Sequence, residues 1–189
     1  MTDFTLSSGS ICRPLRSPWG AFPVRALRTE STMAAAIQIG RPVVLLADAS
    51  SNTDCIKGVA ANTPNYFYIA GIAAEAVSSG TSSGTLSPKV SVWEANPAVE
   101  FKAVTKGGTL GSSLVGSRRS LVFDSTLNIA WVDVTGSTAA DWRVIVTDLI
   151  DSVGDSGGYV AFRFVQSLAG NVASSVALTS TTPVLAFFG

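Results

Sequence analysis

The strongest chemical signature in the chain is Gly154 to Gly158, whose sequence GDSGG is the active-serine motif of trypsin-like proteases. In that mechanism a histidine accepts the proton of the serine hydroxyl, and an aspartate orients the histidine. The chain contains no histidine, so its own residues cannot assemble this relay. Asp and Ser hydrogen-bond to their own backbone and glycine tolerates a positive φ, so we interpret GDSGG as a turn between two strands. We therefore expect Ser156 to be catalytically silent.

The carboxylates carry no clearer chemical signal. Their spacing singles out no pair for glycoside hydrolysis. Asp148, Asp151 and Asp155 cluster where a predicted strand ends, and a calcium-binding loop is conceivable there. Their order does not match the EF-hand template, and acidic turn residues are usually caps and turns. No phosphate-binding glycine motif occurs at a strand–helix junction. We assign no catalytic, cofactor-binding or metal-binding residue and expect a protein that is not an enzyme.

The tryptophans are the remaining residues with binding chemistry. Four are present, at Trp19, Trp93, Trp131 and Trp142, and together they could line a sugar-binding face. Packing in the core or between subunits is the commoner use of such large rings.

The composition limits the class of protein. Hydrophobic residues make up 47 % of the 189 residues and charged residues only 14 %, where about a quarter is usual. No run of about 18 apolar residues predicts a membrane helix, and a formal net charge of zero gives no general electrostatic case for nucleic acid. We therefore expect the protein to bind neither membranes nor nucleic acid. The apolar content must be buried in a core or against other subunits, which predicts a homo-oligomer, a dimer or a trimer.

The cysteines and the first residues predict synthesis in a reducing compartment. Cys12 and Cys55 are too few and too widely spaced to form a disulfide framework. The first ten residues lack a basic region followed by an apolar stretch, so no signal peptide is predicted. Free thiols are the expectation for a protein made in the cytoplasm.

Residues 1–33 differ in composition from the rest. Three prolines interrupt any long helix or central strand, but the segment has too many apolar side chains for a solvated tail. We predict an extended arm that packs either on its own body or on a neighbouring subunit. Because arginine binds carboxylates and backbone carbonyls, an acidic protein surface is the expected partner. The predicted partner-binding residues are Arg13, Arg16, Trp19, Phe22, Arg25 and Arg28.

Residues 34–189 are predicted to form an all-β body, a β-barrel, β-tulip or sandwich-like structure. Apolar and polar side chains alternate at 89–95 and again at 99–105, as in strands with one buried face. Turn signals recur at short intervals, which is typical of sandwiches and barrels. Further predicted strands are 37–47 (with Pro42 as an edge or bend), 66–76 (strand favoured over helix), 120–123, 129–134, 143–150, 159–166 and 184–188. Short helices are possible only at 139–144 and 172–178.

The central segment resembles the small capsid decoration (cement) proteins of tailed bacteriophages. The resemblance covers residues 69–105: an apolar strand with Ala70-Gly71-Ile72-Ala73, a Gly/Ser loop at 78–84, and a strand pair joined at Asn96-Pro97 with Phe101 on the second strand. These residues shape a fold rather than perform a reaction.

The resemblance implies a structural virion protein on the capsid surface, made in the host cytoplasm. Such a β-barrel or β-tulip body binds the major capsid protein shell and stabilises it by clamping neighbouring subunits. The alternative function is another virion or fibre component, or a β module that binds a receptor or carbohydrate. An exposed aromatic cluster in a cleft would favour that module, and aromatics hidden against neighbours would favour the cement protein.

Overall fold

A computed structural model describes residues 11–29, 32–33, 36–47, 54–58, 69–81, 88–135 and 143–165. Within these ranges the regular secondary structure is β, apart from one short 3₁₀ turn at Ser112–Leu114. The all-β prediction is confirmed. In the same ranges no helix is long and apolar enough to cross a membrane.

The strands follow the chain from β1 to β14. They are β1 Arg13–Arg16, β2 Val24–Thr29, β3 Thr32–Met33, β4 Pro42–Ala47, β5 Asp54–Gly58, β6 Ile69–Ala73, β7 Gly80–Thr81, β8 Lys89–Glu94, β9 Glu100–Lys106, β10 Arg118–Arg119, β11 Leu121–Asp124, β12 Ile129–Asp133, β13 Val144–Leu149 and β14 Tyr159–Phe164.

Five strands close into a barrel in the order β2-β5-β4-β6-β8, with β8 pairing back to β2. The pairing is antiparallel except between β2 and β5, which run parallel. Aliphatic side chains fill the interior, among them Leu27, Val43, Ile56, Val90 and Val92. Every strand of the barrel therefore pairs on both sides over at least part of its length, and none is an open edge throughout.

Gly71 allows β6 and β8 to approach each other closely. A Cβ atom at this position would overlap the carbonyl oxygen of Trp93 and lie 2.6 Å from Cγ1 of Val92. Any larger residue would push the two strands apart, because the obstacle includes backbone that cannot rotate away. Glycine is therefore required here by the barrel itself.

The other large element is a sheet in the order β10-β13-β14-β9-β12-β11, with β1 also paired to β9. The central strand β9 pairs along one side with β14, and along the other side with β1 and then β12. One face is the core face, where Phe101, Phe162 and Phe164 pack with ring centroids 5.1–5.9 Å apart. This face packs against Ile69 and Ile72 on the outside of the barrel. The opposite face is called the outer face below.

The barrel and the sheet also meet through Arg41. Its guanidinium carbon lies 4.4 Å from the centroid of the Phe123 ring on β11. Val44 of the barrel packs on the same ring. A Cβ atom at Gly58 would overlap the Arg41 side chain, so the glycine provides the space this contact needs.

Described residues 11–29 pack on the body of their own chain. β1 is a strand of the sheet and β2 is a strand of the barrel. A division at residue 33 therefore does not coincide with a break in strand pairing. Sequence reasoning missed β2 because its sequence, VRALRT, does not read as an apolar strand, and only its last residues are buried.

The other strand predictions differ from the structure mainly at their ends. Segment 66–76 contains a strand, β6, as favoured. Pro42 starts β4, and Ile37 makes only an isolated bridge to Val77, so 37–47 is not one continuous strand. β5 was not predicted. The predictions for 172–178 and 184–188 lie outside the described residues.

Candidate functional site

A groove about 360 Å³ in volume lies where the barrel meets the outer face of the sheet. Its lining comes from β1, β8, β9 and the turn between β1 and β2: Arg13, Pro14, Leu15, Phe22, Trp93 and Lys102. The groove exists because β1 occupies only the first half of one side of β9, and the chain then turns away to enter the barrel. We call it the Phe22 groove.

Exposed apolar side chains extend beyond the Phe22 groove. Trp19 is 60 % exposed, Val24 54 % and Phe22 38 %. Trp19 and Phe22 belong to the connection that leads from β1 into β2, and Val24 is the first residue of β2. Isolated apolar residues on a surface are normal, but a group of large ones beside a groove is typical of an interaction site.

The electrostatics of the Phe22 groove are unbalanced toward positive charge. Arg13 and Lys102 are direct cross-strand partners between β1 and β9. Like charges directly opposite each other on one face of a sheet are destabilising. Among the residues that the structure describes, no carboxylate lies within ion-pair distance of either side chain. An acidic partner placed here would relieve this repulsion.

Arg16 is neutralised within the chain. Its guanidinium lies 3.4 Å from a carboxylate oxygen of Glu100 and 3.9 Å from one of Asp148. Glu100 is 7 % exposed and also accepts a hydrogen bond of 3.0 Å from Arg163. Buried carboxylates require such paired donors. Around the groove the cations Arg13, Arg16, Lys102 and Arg163 outnumber these two carboxylates, so a positive surplus remains.

The structure brings together some of the predicted partner-binding residues and separates others. Arg13 and Phe22 line the Phe22 groove, and Arg16 and Trp19 adjoin it along the chain. Arg25 and Arg28 lie on β2, opposite Val92 and Lys89 of β8, and do not line it.

The sequence did not place Trp93 and Lys102, which other strands contribute to the groove, among the partner-binding residues; Trp93 was considered only for a sugar-binding face or for packing. The alternation in β8 and β9 indicates that both side chains leave the strands, but not which strand would lie beside them. The pairing of β1 with β9 supplies that information.

The GDSGG segment forms a turn between β13 and β14, as predicted. Gly154 and Gly157 have φ values of 97° and 72°, which favour glycine. Asp155 accepts a hydrogen bond of 3.0 Å from the backbone N–H of Ser152, and Asp151 accepts one of 2.8 Å from that of Tyr159. These carboxylates stabilise the turn, and this role accounts for their spacing.

Metal binding requires clustered ligands, and thiol chemistry requires an accessible thiolate. No three His, Cys, Asp or Glu side chains there are grouped so that they could hold a metal ion. Cys12 is free and fully buried, and burial raises the pKa of its thiol well above the usual range. A protonated buried thiol is a poor nucleophile. The Cys55 side chain lies outside the described residues.

Comparison of the chain with protein-family models, with curated proteins and with solved structures finds no match.

Proposed function

We propose that the protein is a structural virion component, a capsid decoration protein that binds the major capsid protein shell through the Phe22 groove. The observation that carries this proposal is the combination of exposed Trp19 and Phe22 with the opposed cations Arg13 and Lys102. The apolar side chains gain about 25 cal/mol for each Å² removed from water. The cations gain carboxylates that their own chain does not provide.

The resemblance at 69–105 supports the same function. This segment contains β6, β7, β8 and most of β9. Strands β6 and β8 belong to the barrel and β9 to the sheet, and β8 and β9 contribute Trp93 and Lys102 to the Phe22 groove. Gly71, part of the resemblance, is required for the approach of β6 to β8. The shared features therefore shape both the fold and one wall of the proposed interface.

The proposed partner is an acidic protein surface rather than nucleic acid. The formal net charge of the chain is zero, and the surplus of positive charge is confined to one groove bordered by apolar side chains. Nucleic acid binding relies on many phosphate contacts spread along a basic surface. A local cationic and apolar site fits the mixed composition of a protein–protein interface.

We also propose that the protein acts as a dimer or trimer on the shell. Charged residues make up only 14 % of the chain and hydrophobic residues 47 %. Contacts between copies would bury part of this apolar surface, and several weak groove contacts acting together would bind a repetitive shell more tightly than one.

The test is cosedimentation with empty shells assembled from the major capsid protein encoded in the same genome. The full chain should pellet with the shells. The variants Trp19→Ala/Phe22→Ala and Arg13→Glu/Lys102→Glu should each weaken binding by at least about tenfold, because central aromatic and arginine side chains dominate interface energies.

The matched control is Ile150→Ser/Val153→Ser, which removes two exposed apolar side chains from the loop after β13. It should bind like the unaltered chain. Failure of the full chain to pellet, or equal binding by the groove variants and the control, would contradict the proposal.

A further inference from the structure

A second, smaller cleft lies at the other end of β9. It is enclosed by the end of that strand, the β11–β12 hairpin and the GDSGG turn, and its volume is about 240 Å³. We call it the Trp131 cleft. Its lining combines apolar, charged and hydroxyl groups: Val104, Thr105, Lys106, Gly107, Gly108, Asp124, Leu127, Ile129, Trp131, Ser156 and Gly157.

An ion pair holds one wall of the Trp131 cleft in place. The Lys106 ammonium donates to a carboxylate oxygen of Asp124 at 3.2 Å. The other oxygen accepts from the backbone N–H groups of Thr126 and Leu127 at 2.9 and 3.1 Å. The carboxylate is thus oriented by the hairpin turn, and the oxygen that faces Lys106 retains capacity to accept another hydrogen bond.

Lys106 and Trp131, which both line the Trp131 cleft, each have a donor with unused capacity. The Lys106 nitrogen lies 5.1 Å from the centroid of the Trp131 ring and uses one of its three N–H groups on Asp124. The indole N–H of Trp131 is buried and has no hydrogen-bond partner among the described residues. Leaving a buried donor unpaired is unfavourable, so a small turn of the ring that brings this N–H to an acceptor on a bound molecule would be stabilising.

The charge of the Trp131 cleft argues against an anionic ligand. Lys106 is neutralised by Asp124, and its cross-strand neighbour on β12 is a second carboxylate, Asp133. An anion would therefore meet no surplus positive charge. The groups that remain are a mixture of donors and acceptors beside an apolar wall formed by Val104, Leu127 and Ile129.

We propose that the Trp131 cleft binds one ring of a neutral saccharide. A sugar ring presents hydroxyl groups that both donate and accept around its edge, and an apolar C–H face. Its hydroxyls would accept from Trp131 and Lys106 and donate to Asp124. The volume suits a single ring, since sites for larger organic ligands are typically about 300–1,000 Å³.

The experiment is a titration of the ¹⁵N-labelled full chain with the methyl glycosides of glucose, galactose, mannose and N-acetylglucosamine, with glucuronate as an anionic comparison. The indole N–H signals are observed by two-dimensional NMR, and the Trp131→Phe variant identifies the signal of Trp131. At least one neutral glycoside should shift that signal saturably at millimolar concentration.

Two variants and one control test the assignment. Trp131→Phe keeps a ring but removes the N–H and should weaken binding about fivefold, as for one neutral hydrogen bond. Lys106→Met should weaken it about tenfold, as for a charged donor. Lys89→Met, at an exposed position on β8 that lines neither the Phe22 groove nor the Trp131 cleft, should leave binding unchanged.

The proposal is overturned if none of the four neutral glycosides shifts the Trp131 signal. It is also overturned if only glucuronate binds, or if the Lys89 and Lys106 variants behave alike. Thermal unfolding of each variant is measured alongside, and Trp131→Phe decides the question if Lys106→Met does not fold. Capsid binding plays no part in these readouts, so this proposal and the proposed function fail independently.

Discussion

The Phe22 groove and the Trp131 cleft lie at opposite ends of β9, and each contains a lysine beside an aromatic ring. Lys102 lies 5.1 Å from the centroid of Tyr159, and Lys106 lies 5.1 Å from that of Trp131. Both lysines are on the outer face. Their surroundings nevertheless differ in charge, because β1 places Arg13 opposite Lys102 whereas β12 places Asp133 opposite Lys106.

The difference shows that the neighbouring strand decides what a lysine on this face can do. In the Phe22 groove, Lys102 has no carboxylate beside it among the described residues and lies near exposed apolar side chains. This combination suits a large acidic partner. In the Trp131 cleft, Lys106 is neutralised and held by Asp124, which suits a small neutral one. Side-chain type and alternation along β9 are the same in both cases.

The largest expected effect on stability comes from deleting the N-terminal segment. This deletion tests whether the Phe22 groove is built by the fold or by a detachable arm. Sequence reasoning treats residues 34–189 as a body that folds alone. Because β2 closes the barrel, we expect deletion of residues 2–33 to expose the edges of β5 and β8 and abolish cooperative unfolding. Urea denaturation followed by circular dichroism measures this.

The control for that deletion is Trp19→Ala/Phe22→Ala, which alters the exposed side chains and leaves the strands intact. It should unfold cooperatively near the midpoint of the unaltered chain. A truncated chain that still unfolds in one cooperative transition would mean that β2 is dispensable.

A second prediction compares charge reversal at the two lysines. Lys106→Glu should lower the free energy of unfolding by about 1 kcal/mol, because it replaces a partly exposed ion pair with Asp124 by a repulsion. Lys102→Glu should instead raise it by up to about 0.5 kcal/mol, since it turns the repulsion with Arg13 into attraction. Equal effects of the same sign in urea denaturation would remove the electrostatic distinction between the two sites.

Acid titration sharpens the same distinction. Burial opposes ionisation of Asp124, but hydrogen bonds from Leu127, Lys106 and Thr126 outweigh it and lower the pKa of this carboxyl below its usual value. Its stabilisation is therefore present above the unfolded-state pKa of about 3.9 and is lost as the pH falls through the lower folded-state pKa.

The variant that tests this is Asp124→Asn. Its deficit in the free energy of unfolding, relative to the unaltered chain, should be largest near neutral pH and should shrink below about pH 4. Lys102→Met is the control, and its difference from the unaltered chain should change less over the same range. A deficit for Asp124→Asn that is constant with pH would contradict the assigned ion pair.

The last prediction changes the folded protein least and concerns the backbone beside the Phe22 groove. Cys12 directly precedes β1 and is fully buried, and burial raises the pKa of its thiol. In a Cys55→Ser background, a water-soluble thiol reagent should modify Cys12 far more slowly than it does in the urea-unfolded chain. Rapid labelling of the native protein would show that β1 opens readily, and the groove could not then be a preformed site.

Sequence patterns predicted the strands well where local signals agree. The alternation at 89–95 and 99–105 corresponds to β8 and β9, and the GDSGG segment forms the predicted turn. β2 was not recognised, because its outward residues include arginines and its pairing to both β5 and β8 depends on residues far along the chain. Of the predicted partner-binding residues, Arg13 and Phe22 meet in one groove, while Arg25 and Arg28 remain apart from it.

The sequence by itself determined the all-β class, the absence of a histidine-dependent relay at Ser156 and the glycines of its turn. These follow from residue types and from spacings of a few positions, which local backbone chemistry interprets directly. Only the tertiary structure decided that the N-terminal segment completes the barrel and that Arg13 opposes Lys102. It also decided that Lys106 meets Asp124. Such pairings join residues 18 to 89 positions apart, and cross-strand register, rather than any local pattern, determines which charges become neighbours.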